Sequence, residues 1–150
     1  MRGRFAGLNA LWTRTDGVSA LEFAAITPVF LLLLFGTFEF GRVFLVLNTM
    51  ELAAAQGGRY AMTHRPSSCN DSTYVQSVID NTKTDANFPG MNKANFTVTA
   101  VPSWSCATTP PVVTVAIAVS YTYSFVASAL LPFGPITLNR QANVTVGLNA

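Results

Sequence analysis

Residues 21–38 carry a single charged side chain, Glu22, in a run otherwise built of Leu, Phe, Ala, Val, Ile, Gly, two threonines and Pro28. A helix that crosses a bilayer needs about 20 mostly apolar residues. This run supplies most of that length, and residues 43–47 resume its apolar character. The segment is apolar on every face, which does not suit the surface helix of a soluble domain. Burying it as a core helix would need more protein than the rest of the chain provides. Charged residues make up only 11% of the 150 residues, against about 25% in an average soluble domain. The deficit is local, because the remainder reads as a polar domain rich in Thr, Asn and Ser. The first expectation is therefore a single-pass membrane protein with one small domain outside the bilayer.

The flanking charges give a direction. Arg2, Arg4 and Arg14 precede the apolar run, with Asp16 the only acid among them. Positive charge stays cytoplasmic, so the N-terminus is expected inside. Arg42, Arg59, His64 and Arg65 follow the run and reduce the asymmetry. The net charge of +2 is small and unclustered, which gives no basic face for nucleic acid. Cys69 and Cys106 both lie beyond the apolar run. An even cysteine count in an exported domain suggests one disulfide, and two free thiols are the alternative in a cytosolic one.

Three features exceed the needs of a plain anchor. Glu22 stands only a few residues into the apolar run, and an ionisable group at membrane depth is a functional hypothesis by default. Pro28 removes a helix hydrogen bond and favours a kink. Glu39 and Arg42 stand three apart, a spacing that lets them pair on one helix face as a candidate intramembrane pair. They would equally serve to mark the outer interface.

The order Gly17-Val18-Ser19-Ala20-Leu21-Glu22-Phe23-Ala24, then Thr27-Pro28, the apolar run and Phe38-Glu39-Phe40-Gly41-Arg42 resembles the TadE-like proteins. These are minor pilins, or pseudopilins, of the tight-adherence (Flp, type IVb) pilus system. The resemblance is strong over residues 16–42 and general beyond them. It implies cleavage between Gly17 and Val18 by a prepilin peptidase, with Glu22 fifth in the mature chain and the aromatic Phe23 after it. It also implies further partners: the major Flp pilin, other minor pilins and the inner-membrane assembly platform. Cleavage would place a new amine on Val18, one helical turn from Glu22. In a fibre, Glu22 of one subunit would meet the N-terminus of its neighbour. Such pairing sets register, because an unpaired charge in a low-dielectric core costs several kcal/mol. Gly17 suits the cut because a residue without a side chain lets a protease approach the backbone closely. Related TadG-like proteins share this anchor and need not be processed, so an uncleaved membrane-anchored envelope binding protein is the alternative. A third reading has signal peptidase cut after Ala55, following Ala53 and Ala54, and release a secreted domain. The apolar region is longer than a signal-peptide core of about 7–15 residues, and helix continuation through the alanines is preferred.

The expected fold class is α+β, with the long N-terminal helix continuing into a small domain. The expected division is a basic leader over 1–17, a membrane helix over 18–47 and an extracytoplasmic domain over 48–150. Residues 51–56 are mostly good helix formers that carry the helix outward; Gly57 and Gly58 weaken it, while Arg59, Tyr60 and Ala61 can extend it by another turn or two. Residues 64–73 read as a loop, with Asp71 or Ser72 capping a short helix through about Asn81. Tyr74 with Val78 and Val75 with Ile79 give that helix an apolar stripe. Residues 96–101 alternate, and Val113, Val115, Ile117, Val119, Tyr121, Tyr123 and Phe125 alternate with small or hydroxylic residues, the clearest period-two signal in the chain. Val144, Val146 and Leu148 suggest a last strand. Residues 126–135 suggest a short helix and turn, or a loop dipping toward the membrane surface. A sheet of three or four antiparallel strands on the outer half of the helix is expected, with Trp104 either packed or forming a contact surface.

No catalytic set is legible. His64 is the only histidine, the cysteines lack a zinc spacing, and neither a phosphate loop nor a nucleophile elbow is present. The expectation is a structural subunit of the bacterial inner membrane or its pilus, with no enzyme activity, cofactor or metal. The sequons at Asn70, Asn95 and Asn143 are read as chance in a Thr- and Asn-rich domain.

Overall fold

The computed structural model describes residues 17–86, 92–129 and 134–148. The basic leader up to Asp16, and residues 130–133 of the apolar connection, lie outside the described residues. Helix α1 (Val18–Thr63) is followed by helix α2 (Ser72–Asp85), strands β1 (Phe96–Ser105) and β2 (Val112–Tyr123), and strand β3 (Ile136–Gly147). Short 3-10 turns at Lys93–Asn95 and Val126–Ala129 flank β1 and β2. The chain divides into two compact units, Met1–Glu39 and Phe40–Ala150.

Helix α1 runs unbroken for 46 residues, through Pro28 and through the Gly57-Gly58 pair. At 1.5 Å per residue it is roughly 70 Å long. It is long and apolar enough to cross a membrane. In the first unit none of its side chains up to Phe38 is buried. The threonines in this run are satisfied locally. Thr27 Oγ1 donates to the Phe23 carbonyl at 2.6 Å and Thr37 Oγ1 to that of Leu33 at 2.8 Å. A hydroxyl bonded four residues back carries little penalty in apolar surroundings.

In the second unit three strands form one antiparallel sheet in the order β1-β2-β3. Phe96 pairs with Tyr121 and Ser105 with Val112 on one side of β2, and Val112 pairs with Gly147 and Tyr123 with Ile136 on the other. The predicted alternation holds: Val113, Val115, Ile117, Val119, Tyr121 and Tyr123 are all buried on one face. The opposite face is hydroxylated, with Thr97 bonded to Ser120 and Thr114 Oγ1 2.9 Å from Thr145 Oγ1. Cross-strand pairs of this kind each stabilise a sheet by about 0.2–1 kcal/mol.

Val46, Met50, Ala53, Ala54 and Ala61 of α1 join the apolar face of the sheet in one core. Their spacing follows one face of a 3.6-residue helix. Gly57 and Gly58 lie on the same face and are buried. The helix continues through them, and they let its neighbours approach. A Cβ at Gly57 would run into the Thr82 side chain of α2, 3.2 Å from its Cβ, and one at Gly58 would stand 2.9 Å from Val144 Cγ2 of β3. Tyr74 Oη seals the α1–α2 contact by donating to the Ala61 carbonyl at 3.0 Å, and burial pushes the Tyr74 phenol up from its ordinary pKa.

Asp71 caps α2, accepting from the Tyr74 N–H at 3.0 Å, and also from Ser67 Oγ at 3.1 Å. The Tyr74 N–H, with the help of Ser67, holds the Asp71 carboxyl below its usual pKa of 3.8. Asn70 before it adopts a left-handed φ of 62°, which asparagine tolerates.

The structure extends three of the expected elements. Helix α2 continues to Asp85 because Thr82 and Thr84 bond back to the carbonyls of Val78 and Asp80, at 2.7 and 2.9 Å. Strand β1 reaches Ser105 through Pro102, which an edge strand accommodates since its missing N–H can face outward. Strand β3 begins at Ile136, well before Val144. Its edge position leaves one flank uncovered, so Arg140 and the small Ala142 stand where a core strand would carry large apolar residues. Trp104 packs against the core, as does Phe125 beyond the end of β2.

Two outcomes follow. Gly57→Ala gains about 1 kcal/mol of helix propensity, yet the forced displacement at Thr82 outweighs it, for a net loss of about 1–2 kcal/mol in chemical denaturation. Gly57→Ala with Thr82→Ala recovers part of that loss relative to Thr82→Ala alone. For Asp71 the folded pKa is depressed, so its contribution is complete above 3.8 and is lost as pH falls through the folded value. Acid unfolding of Asp71→Asn is therefore less steep in that window than that of the unaltered protein.

Candidate functional site

The residues singled out on the first part of α1 form a continuous exposed surface. Gly17 precedes the first helical residue, Val18, and a Cβ at Gly17 would meet nothing within 4 Å. Glu22 is exposed one helical turn beyond Val18, so the two project from the same face. Phe23 is exposed beside it, and Pro28 lies inside the helix with Thr27 back-bonded ahead of it. The arrangement is an exposed apolar helix with one carboxylate near its start.

The Glu39 and Arg42 positions differ from these. Glu39 is 8% exposed and Arg42 is half-buried. Within the domain, the Arg42 guanidinium lies over the Tyr123 ring, 5.5 Å from its centroid, and Tyr123 meets Phe125 edge-on at 5.3 Å. Among the described residues no buried side-chain nitrogen or oxygen lacks a hydrogen-bond partner. Arg42 therefore ties α1 to the last residue of β2, a contact that sequence reasoning missed. Residues 42 and 123 are far apart along the chain, and only strand pairing reveals which end of β2 meets the helix.

Cys69 and Cys106 are joined in a disulfide, with a Cα–Cα distance of 6.2 Å. The bridge ties the loop before α2 to the turn between β1 and β2, at the opposite end of the sheet from Tyr123. An open cleft of about 500 Å³ lies between α1 and β3, lined by Glu51, Ala54, Ala55, Arg140, Gln141 and Ala142. Among the described residues no group of three or more His, Cys, Asp or Glu side chains is placed to hold a metal ion.

A family model described as TadE-like protein matches residues 17–59. The match begins on Gly17 and covers Glu22, Phe23, Pro28, Glu39 and Arg42, so it reaches past the segment on which the resemblance was read. The likeness to TadE-like proteins thus covers most of α1. No curated protein and no solved structure matches the chain.

The bridge closes a loop with a sequence separation of 37 residues. Its reduction, or replacement of Cys69 and Cys106 by Ala, lowers the unfolding free energy by about 2–4 kcal/mol. Equilibrium denaturation with and without reductant measures the loss.

Proposed function

We propose that this protein is a minor pilin, or pseudopilin, needed to assemble a Flp-type tight-adherence pilus, and that it is structural and turns over no substrate. The observation that carries this reading is the TadE-like match starting on Gly17, together with a solitary exposed carboxylate, Glu22, one turn into a helix able to cross a membrane. In this reading the chain enters the bacterial inner membrane with its N-terminus cytoplasmic and its domain outside. A prepilin peptidase cuts between Gly17 and Val18. The new Val18 amine and Glu22 then give each subunit one positive and one negative group at the start of an apolar rod. Pairing between neighbouring subunits in the low-dielectric bundle fixes their register, because either charge left alone is expensive. The expected partners are the peptidase, the major Flp pilin, other minor pilins and the assembly platform.

The exposure of residues 21–38 suits this role, since helices associate in membranes by packing side chain on side chain. The buried positions of Ala53 and Ala54 in the continuous helix favour continuation there over a secretory cleavage after Ala55.

Intact mass and N-terminal mapping of the membrane-extracted protein, made with its native peptidase, test the proposal. The expected start is Val18; a start at Met1 overturns processing and points to an uncleaved anchored binding protein. Glu22→Ala is expected to insert and fold normally yet abolish pilus assembly, scored by surface pilin and surface adhesion.

A further inference from the structure

The two outer strands close the sheet in unlike ways. Leu148 N–H donates to the Pro111 carbonyl at 3.1 Å, and these two residues continue the register in which Gly147 faces Val112. In an antiparallel ladder, opposed pairs that exchange hydrogen bonds alternate with pairs that do not. The even-numbered residues of β3 therefore bond to β2. The approach of the Thr114 and Thr145 hydroxyls to 2.9 Å fits this phase, because side chains stand closer in the pairs without bonds. Thr137, Asn139, Gln141, Asn143, Thr145 and Gly147 then turn their N–H and C=O groups away from β2, to an edge that no described strand covers.

On β2 the even residues bond to β1, so β1 uses its odd residues and turns its even ones outward. Pro102 is one of these, and it has no N–H to offer. Helix α2 also lies against β1. That edge is blunted, as the edges of native sheets usually are. Strand β3 lacks these devices. It contains no proline, its register with β2 runs without a bulge from Ile136 to Gly147, and its outward-bonding residues carry no charge. Its one charged residue, Arg140, donates a guanidinium N–H to the outward carbonyl of Asn139 at 3.1 Å. Along this strand runs the open cleft of about 500 Å³ shared with α1, with Ala54, Ala55 and Ala142 in its wall.

A row of backbone donors and acceptors at strand spacing is matched by the backbone of another strand. A fourth strand beside β3 sends alternate side chains toward the cleft and the others onto the hydroxylated face of the sheet. The cleft wall is mostly small and apolar, with Glu51 and Arg140 offsetting each other, and the hydroxylated face is neutral. The strand that fits therefore alternates apolar with uncharged polar residues. From Arg42 beside the Tyr123–Ile136 pair to Gly58 at Val144, α1 runs in the same direction as β3. Two β3 strands paired antiparallel about a two-fold axis would set their α1 helices in opposite directions. Copies anchored in one bilayer by that helix do not allow this, so the occupant is another chain.

We propose that the free edge of β3 is a β-augmentation site, which takes an extended, uncharged strand of a different polypeptide and makes the sheet four-stranded. The site stands on the domain alone; the choice of a different chain over a second copy rests on the reading of α1 as a membrane-crossing helix.

The probe is a fluorescent peptide of residues 136–147 carrying Arg140→Val, which alternates in the required way, added to the full-length protein in detergent micelles. Anisotropy is expected to show saturable binding. N-methylation of every second peptide residue is expected to weaken binding by about tenfold or more in one phase and to leave it unchanged in the other, because only one phase faces β3. Gln141→Pro in the protein removes one outward N–H and no bond to β2. It is expected to weaken binding by about tenfold with thermal unfolding unchanged, whereas Gln141→Ala binds as the unaltered protein does. If Gln141→Pro unfolds, the two methylated peptides decide alone. Absence of saturable binding, or equal affinity of the two methylated peptides, overturns the proposal. So does a dimer of the full-length protein, seen in sedimentation, that the peptide dissociates, since a second copy then fills the edge. Whether alkaline carbonate strips the protein from membranes tests the anchor separately, so the two readings fail apart.

Discussion

The domain depends on how closely α1 can approach what lies against it. From Val46 to Ala61 the inward face of this helix is built of small residues, apart from Met50 and Val46 at its start. Two glycines lie where α2 and β3 press hardest, at Thr82 and Val144. Larger side chains at these positions would move both neighbours outward and open the sheet's apolar face to water. That face, centred on β2, is where the burial that stabilises the domain is concentrated. The Tyr74 hydroxyl on the Ala61 carbonyl and the Arg42 guanidinium over Tyr123 then fasten the two ends of the packed stretch of the helix.

One helix thus carries two unlike tasks along its length. Up to Phe38 its side chains are uncovered and apolar, the condition for life in lipid or in a helical bundle. From Phe40 onward one stripe is buried in the domain and the rest faces outward. The change needs no break in the helix. The helix continues through Pro28, which has no N–H to donate, and through Gly57-Gly58: a back-bonded threonine accompanies the proline, and tertiary contact surrounds the glycines.

Much of this architecture could be read from residue patterns. The uninterrupted apolar run announced α1, the order from Gly17 through Glu22 and Pro28 to Arg42 announced the likeness to TadE-like proteins, and strict alternation in β2 announced the central strand. An even pair of cysteines pointed to the bridge now seen between Cys69 and Cys106. What escaped was everything that depends on a partner distant in sequence. Strand β3 was foreshortened because Arg140 and Ala142 blur its alternation, and an edge strand needs no continuous apolar face. Gly57 and Gly58 read as helix weakeners, because propensity is a local quantity and their cost is repaid by contacts that propensity does not contain.

By itself, the sequence determined the general plan of this protein: a basic N-terminal stretch, an apolar helix with one early carboxylate, and a polar domain able to form a disulfide. Those properties follow from composition and short-range periodicity, which act within a few residues. Only the tertiary structure decided which helix face turns inward, that Arg42 meets Tyr123, and that the bridge lies at the opposite end of the sheet from that contact. These are consequences of strand register and of helix-on-sheet packing, and no local pattern encodes which distant residues will be brought side by side.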